Sequence, residues 1–119
     1  CELGESHRVP LLDDLKAAAR DPLAAVLLEL PMREIGGQLP QWDELVRQSD
    51  WARAQGIKLH MDGARLWQCP AAYDKSLADI AALFDSVYVS FYKDLGGIAG
   101  AMLVGDADFI ARAKVWQRR

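Results

Sequence analysis

This chain has no excess of cations, few thiols and no long apolar run, and each shortage closes off a class of protein. Its 14 lysines and arginines are mixed along the chain with 17 acidic residues, for a formal net charge of -3. No basic face is offered to nucleic acid or to anionic lipid, so a small molecule is the expected partner. The 2 cysteines, Cys1 and Cys69, have no metal-type spacing. Two thiols in a unit of this size fit a reducing compartment better than a disulfide scaffold, and the cytoplasm is the expected location. No apolar stretch approaches the roughly 20 residues that span a bilayer, and the N-terminus lacks the basic-then-apolar layout of a signal peptide. Internal repeats, low-complexity tracts and Gly/Ser linkers are also missing, so residues 1–119 read as one unit.

What is present suits a packed core: 51% of the residues are hydrophobic. LLDDLKAAAR has helical spacing from Leu11 and ends before Pro22, which disfavours helix in the residue preceding it. LAAVLLELP, bounded by prolines, predicts a strand buried on both faces, with a buried helix as the alternative that periodicity leaves open. Gly36-Gly37 and Pro40 mark a loop. A helix opens at Gln41–Glu44, with its acidic residues near the N-terminal dipole, and closes at Gly56. IKLHMD predicts a second strand. Ala64–Gln68 starts a helical or irregular piece that Pro70 interrupts. Ser76–Phe84 predicts a helix with Ser76 as cap and Asp79 at its third position. SVYVSFY is a strand signal, Gly96, Gly97 and Gly100 frame a turn into the strand AMLVG, and Asp106 begins a last helix through Trp116. This order predicts an α/β fold, a mainly parallel sheet with helices on its faces.

In such sheets ligands bind beyond the carboxyl ends of the strands. Three loops qualify, at Glu29–Gly37, Asp62–Arg65 and Tyr92–Gly97. His60 and Asp62, two apart on a strand, share one face. Asp62 could sit beside a protonated ligand group, or could cap the next helix. Arg65 could clamp a carboxylate or phosphate with its planar fork, or form a surface ion pair. Most lysines are solvated, but Lys93 stands at a strand end before a glycine-framed turn, where a partly dry pocket would let its amine attack a carbonyl. Trp42, Trp51, Trp67 and Trp116 read as core or subunit-contact residues. The tail Lys114–Arg119 reads as a solvated helix end or a phosphate contact.

The strings HMDGARLW and SVYVSFYKDLGG, with LELPMREIGGQLP upstream, resemble the threonine aldolases and beta-eliminating lyases among the aspartate-aminotransferase-like, fold type I pyridoxal-phosphate enzymes. The resemblance runs from about Leu23 to the C-terminus. It implies that Lys93 holds pyridoxal 5'-phosphate as a Schiff base and that Asp62 keeps the pyridine nitrogen protonated, so that the ring acts as an electron sink. It places Arg65 near the ring and the substrate carboxylate. His60 packs or hydrogen-bonds near the ring, and Ser90 supports the cofactor or, as a buried serine, bonds to backbone. No metal site is expected, because a lone H-x-D pair is a poor one.

The implied reaction is carbon-carbon cleavage of a β-hydroxy-α-amino acid, threonine giving glycine and an aldehyde. A related β-eliminating lyase, or a non-catalytic piece serving only subunit contact, are the alternatives. The phosphate cup, the β-hydroxyl base and the ring-stacking group are expected from other sequence or a second subunit of a homo-oligomer, dimer or tetramer; His7 is not put in their place. CELGESHRVP, without an initiating Met, reads as the interior of a longer protein, so residues 1–119 are expected to be part of a large cofactor-binding domain, inactive alone, with its N-terminal part and a small C-terminal domain absent. One departure stands out: Asp94 follows the lysine where the family usually has glycine. Facing the pocket, it would favour the charged amine; facing solvent, it would change little.

Overall fold

The computed structural model describes residues 7–19 and 22–117; Cys1, and the last two arginines of the Lys114–Arg119 tail, lie outside them. Its elements are α1 (Leu12–Ala18), β1 (Ala25–Glu29), α2 (Trp42–Ala54), β2 (Lys58–Gly63), α3 (Cys69–Tyr73), α4 (Leu77–Ala81), β3 (Ser86–Ser90), β4 (Ala101–Gly105) and α5 (Ala107–Gln117). Single 3-10 turns occur at Arg33–Ile35 and Leu66–Gln68.

The four strands lie side by side in chain order. β1 pairs with β2, and β2 with β3, in parallel, whereas β3 and β4 are antiparallel. The connections explain the difference. A parallel pair needs a crossover of a dozen or more residues, which the segments containing α2 and then α3 and α4 supply. Only residues 91–100 join β3 to β4, so the chain turns straight back. Phe91 N–H donates to the Gly100 carbonyl at 3.0 Å and continues the ladder into that turn.

Alternation along the strands sets the layers. Val26 and Leu28, Leu59 and Met61, and Val87 and Val89 turn to one side, where they are buried with Leu15 of α1, Leu45 and Ala52 of α2, and Ile80 of α4. The other side carries His60, Asp62 and Tyr88, with Leu27 60% exposed. The expectation that β1 is buried on both faces is corrected accordingly. Its apolar run is continuous, but among the described residues only alternate side chains reach a helix layer.

Local chemistry closes the elements as anticipated at several points. Gly56 ends α2 at φ 68° in the left-handed region, while Ile57 N–H donates to the Ala52 carbonyl at 2.9 Å. Ser76 Oγ accepts from Asp79 N–H at 3.1 Å, and the Asp79 carboxylate accepts from Ser76 N–H at 3.2 Å, a reciprocal cap on α4. Pro70 behaves differently from expectation. It occupies the first turn of α3, where a missing N–H costs nothing, and so starts a helix instead of interrupting one. Trp42, Trp51 and Trp67 pack against the core, whereas Trp116 is 71% exposed on α5.

Candidate functional site

Strand register brings the polar residues of the open face into rows. Glu29, Asp62 and Tyr88 lie side by side across β1, β2 and β3, the first two at strand ends and Tyr88 at the middle of β3. One step back, Leu27, His60 and Ser86 form the preceding row. His60 and Asp62 thus share a face, as their spacing predicts.

Asp62 Oδ1 accepts from Ala64 N–H at 3.0 Å. This is a local turn contact and not the helix cap weighed for Asp62 from sequence, since Arg65 holds the N-cap position of the next turn, and it employs a single oxygen of the carboxylate. His60 Nδ1 is 2.8 Å from Ser86 Oγ. Burial holds the imidazole below its ordinary pKa, with the Asp62 charge opposing that effect, so His60 stands neutral in the sheet at pH 7. A hydrogen bond with Tyr92 first, then burial and the Tyr92 and Asp62 charges, pushes the Tyr88 phenol above its usual value.

Arg65 begins the Leu66–Gln68 turn. Its Nη1 is 3.9 Å from Glu29 Oε1, too long for a hydrogen bond, and that nitrogen is buried without a hydrogen-bond partner among the described residues. A buried guanidinium N–H left unpaired is costly, so the position suits an anionic oxygen brought by a ligand. Glu29 enters the site through this contact. The sequence marks it only as the start of a strand-end loop, because its pairing with Arg65 depends on two strands meeting.

Lys93 is exposed on the turn after β3, with Nζ 5.9 Å from the centre of the Tyr92 ring, and it makes no ion pair among the described residues. The partly dry pocket anticipated for it is not formed by the described residues. The turn itself is tightly shaped. Gly97 N–H donates to the Phe91 carbonyl at 2.8 Å, Gly96 has φ 70°, and a Cβ on Gly97 would lie 2.7 Å from that same carbonyl oxygen. Here glycine is required by close backbone approach.

Three contacts fasten the Asp62–Gln68 segment to the end of β3 and the lysine turn. Ser90 Oγ, fully buried, donates to the Ala64 carbonyl at 2.9 Å. Trp67 Nε1–H donates to the Ser90 carbonyl at 3.0 Å, with its ring tilted against Phe91 at 6.5 Å. Gln68 Nε2 donates to Asp94 Oδ1 at 3.1 Å. Ser90 therefore bonds to backbone. Asp94 is exposed, the solvent-facing case of the two weighed from sequence, and its carboxylate accepts from Gln68 there. Among the described residues, no group of three or more His, Cys, Asp or Glu could hold a metal ion, and no helix is long and apolar enough to cross a membrane.

Asp62, Arg65 and Lys93 stand at the ends of neighbouring strands, the position expected for a ligand crevice in an α/β sheet. Comparison with known proteins gives this arrangement a family. A structure from Listeria monocytogenes, provisionally assigned as an L-allo-threonine aldolase, superposes with a TM-score of 0.96 at 55% identity, over 100% of this chain and 33% of that one. The aldolase VrtJ of Penicillium aethiopicum is 48% identical over 82% of this chain and 24% of its own length. The low-specificity L-threonine aldolase of Saccharomyces cerevisiae is 33% identical over 97% of this chain and 28% of its own. The chain thus spans about a quarter of the curated relatives and a third of the solved structure. The sheet order, the strand-end residues and a match to the family model "Beta-eliminating lyase" over residues 10–119 lead to one conclusion: this chain belongs to the beta-eliminating lyase family, with threonine aldolases among its relatives.

Proposed function

We propose that the protein carrying this chain is a pyridoxal-phosphate-dependent carbon-carbon lyase that cleaves a β-hydroxy-α-amino acid, such as threonine, to glycine and an aldehyde. In this reading residues 1–119 are a central part of its cofactor-binding large domain. The observation that carries it is the buried Arg65 Nη1, which has no hydrogen-bond partner among the described residues and only the Glu29 carboxylate at 3.9 Å, on the segment that follows the strand-end carboxylate Asp62, which has one oxygen engaged. Such a donor and acceptor set suits a ligand with both an anionic oxygen and a protonated ring nitrogen, and the cofactor has both.

Asp62 would hold the proton at the ring nitrogen, and Arg65 Nη1 would bind an anionic oxygen of the cofactor or the substrate carboxylate. Lys93 Nζ, with no carboxylate partner among the described residues, would take the cofactor's carbonyl. Pyridoxal phosphate, when bound, supplies the electron sink for the pair left at Cα as the Cα–Cβ bond breaks. His60, kept neutral and engaged by Ser86, would stand behind Asp62 without competing for its charge. The phosphate cup and the base for the β-hydroxyl proton belong, in this proposal, to other parts of a homo-oligomer acting in the cytoplasm. The exposed apolar residues Leu27 and Leu103 support further coverage of the open sheet face.

The test is borohydride fixation of added pyridoxal phosphate in the full-length protein, followed by peptide mapping. The label is expected on Lys93, and full labelling of Lys93→Ala would overturn the assignment. The family model's own description favours β-elimination as a second reading. Threonine yielding ammonia and a 2-oxo acid, in place of glycine and acetaldehyde, would select it.

A further inference from the structure

We infer that Gln68 and Asp94 form a latch that positions the lysine turn against the segment carrying Asp62 and Arg65. The inference rests on the proposed role of Lys93, and it concerns residues that this role does not itself employ. Ser90 and Trp67 already fix the base of the turn, because both of their bonds involve Ser90, the last residue of β3. Beyond Ser90 the chain runs through Tyr92, Lys93, Asp94 and Leu95, all exposed. Its own closure, from Gly97 N–H to the Phe91 carbonyl, shapes the turn without tying it to β2 or to the Leu66–Gln68 turn.

The contact from Gln68 Nε2 to Asp94 Oδ1 at 3.1 Å reaches across that gap, from the residue just before α3 to the neighbour of the lysine. Asp94 lies close enough to α3 for its charge to add to burial in pushing the Cys69 thiol up to about 11. The carboxylate is therefore directed toward the Gln68–Cys69 segment and has a donor there. With Asp94 so held, the backbone carrying Lys93 has fewer orientations open to it. The lysine turn is held to the Gln68 end of the Asp62–Gln68 segment, and the lysine's carboxylate neighbour is occupied by an amide instead of lying free to pair with it.

Two explanations make different demands on the side chains. A latch needs an acceptor oxygen at position 94 and a donor at 68, whereas a purely electrostatic effect on the lysine needs only the charge. Asp94→Asn keeps an acceptor oxygen and removes the charge. Asp94→Ala removes both, and Gln68→Leu removes the donor alone.

In the full-length protein, hydrogen exchange of the amides in residues 92–97 is measured by mass spectrometry without cofactor. The pH midpoint of the absorbance band of lysine-linked pyridoxal phosphate is measured with it. Asp94→Ala and Gln68→Leu are each expected to speed exchange about fivefold, which corresponds to about 1 kcal/mol. The double variant should go no further than either single one, and Asp94→Asn should stay near the parent. In the midpoint the two single variants should part: Gln68→Leu frees the Asp94 carboxylate to pair with the lysine nitrogen and raises it, whereas Asp94→Ala removes that carboxylate and does not. If Asp94→Asn behaves like Asp94→Ala while Gln68→Leu resembles the parent, the charge is what matters and the latch is overturned. Parent-like exchange in all variants overturns it as well. A label that stays on Lys93→Ala would remove the proposed function yet leave the exchange result standing, so the two failures are distinguishable.

Discussion

Gly63, between Asp62 and Ala64, tests how closely β2 and β3 must approach to build the site. Its φ is not in the left-handed region, so Gly63→Ala imposes no conformational strain, and the destabilising part of its effect is steric. A Cβ there would meet the Tyr88 carbonyl oxygen at 2.7 Å, Leu66 Cβ at 3.1 Å and Val87 Cγ1 at 3.4 Å. The first of these is backbone in the β2–β3 ladder, where Gly63 pairs with Val89, so no side-chain rotation relieves it. The strands must separate, against a core in which Met61, Val87 and Val89 are all buried.

Overpacking of this kind costs about 1–3 kcal/mol, and a rigid obstacle places it toward the upper end. Replacing glycine within a strand returns roughly 0.5–1 kcal/mol of backbone entropy, leaving a net loss of about 2 kcal/mol. For a cooperative unit of about 150–250 residues that lowers the melting temperature by about 4–8 °C. The assay is thermal unfolding of the full-length protein at fixed concentration, paired with titration of pyridoxal phosphate. Separation at Gly63 displaces Asp62 and Ala64 together, so cofactor affinity should fall as well. A melting temperature within about 1 °C of the parent, with unchanged affinity, would refute the reasoning.

Two other perturbations follow from single contacts. Ser90→Ala leaves the Ala64 carbonyl unpaired beside a fully buried site, and about 1–3 kcal/mol of stability should be lost, read as a lower denaturation midpoint. The Arg8 guanidinium, first through its hydrogen bonds, holds the Asp14 carboxyl at about 2, below its ordinary 3.8. Its contribution is therefore complete above pH 3.8 and is lost as the pH falls toward 2. Acid unfolding curves should show Asp14→Asn less stable than the parent at neutral pH, by about 1 kcal/mol after solvent screening, with the two converging near pH 2.

The elements were readable wherever a local rule governs them. Ser76 with Asp79 announces the α4 cap, Gly56 the end of α2, and SVYVS the third strand, because each depends on contacts within a few residues. The outcomes at Pro70 and β1 differ for a common reason. Pro70 in isolation is both a breaker and a helix starter, and only the preceding Leu66–Gln68 turn decides which. An apolar run such as LAAVLLELP reports what its residues tolerate, not which of its two faces a helix layer covers.

The site divides in the same way. From sequence alone come the residue types at the strand ends: an acid at 62, an arginine at 65, an amine at 93, and the glycines that let the lysine turn close. Those strings also suffice to mark the resemblance that the comparisons then establish as family membership. Tertiary structure alone decides which of these groups meet. Register sets Glu29 beside Asp62 and within 3.9 Å of Arg65, while the clamp at Ser90 and the bond from Gln68 to Asp94 join segments 26 residues apart. Chain order specifies chemistry position by position, but contact between distant positions arises only when strands pair, and it is contact that turns Asp94 from a carboxylate beside a lysine into the partner of Gln68.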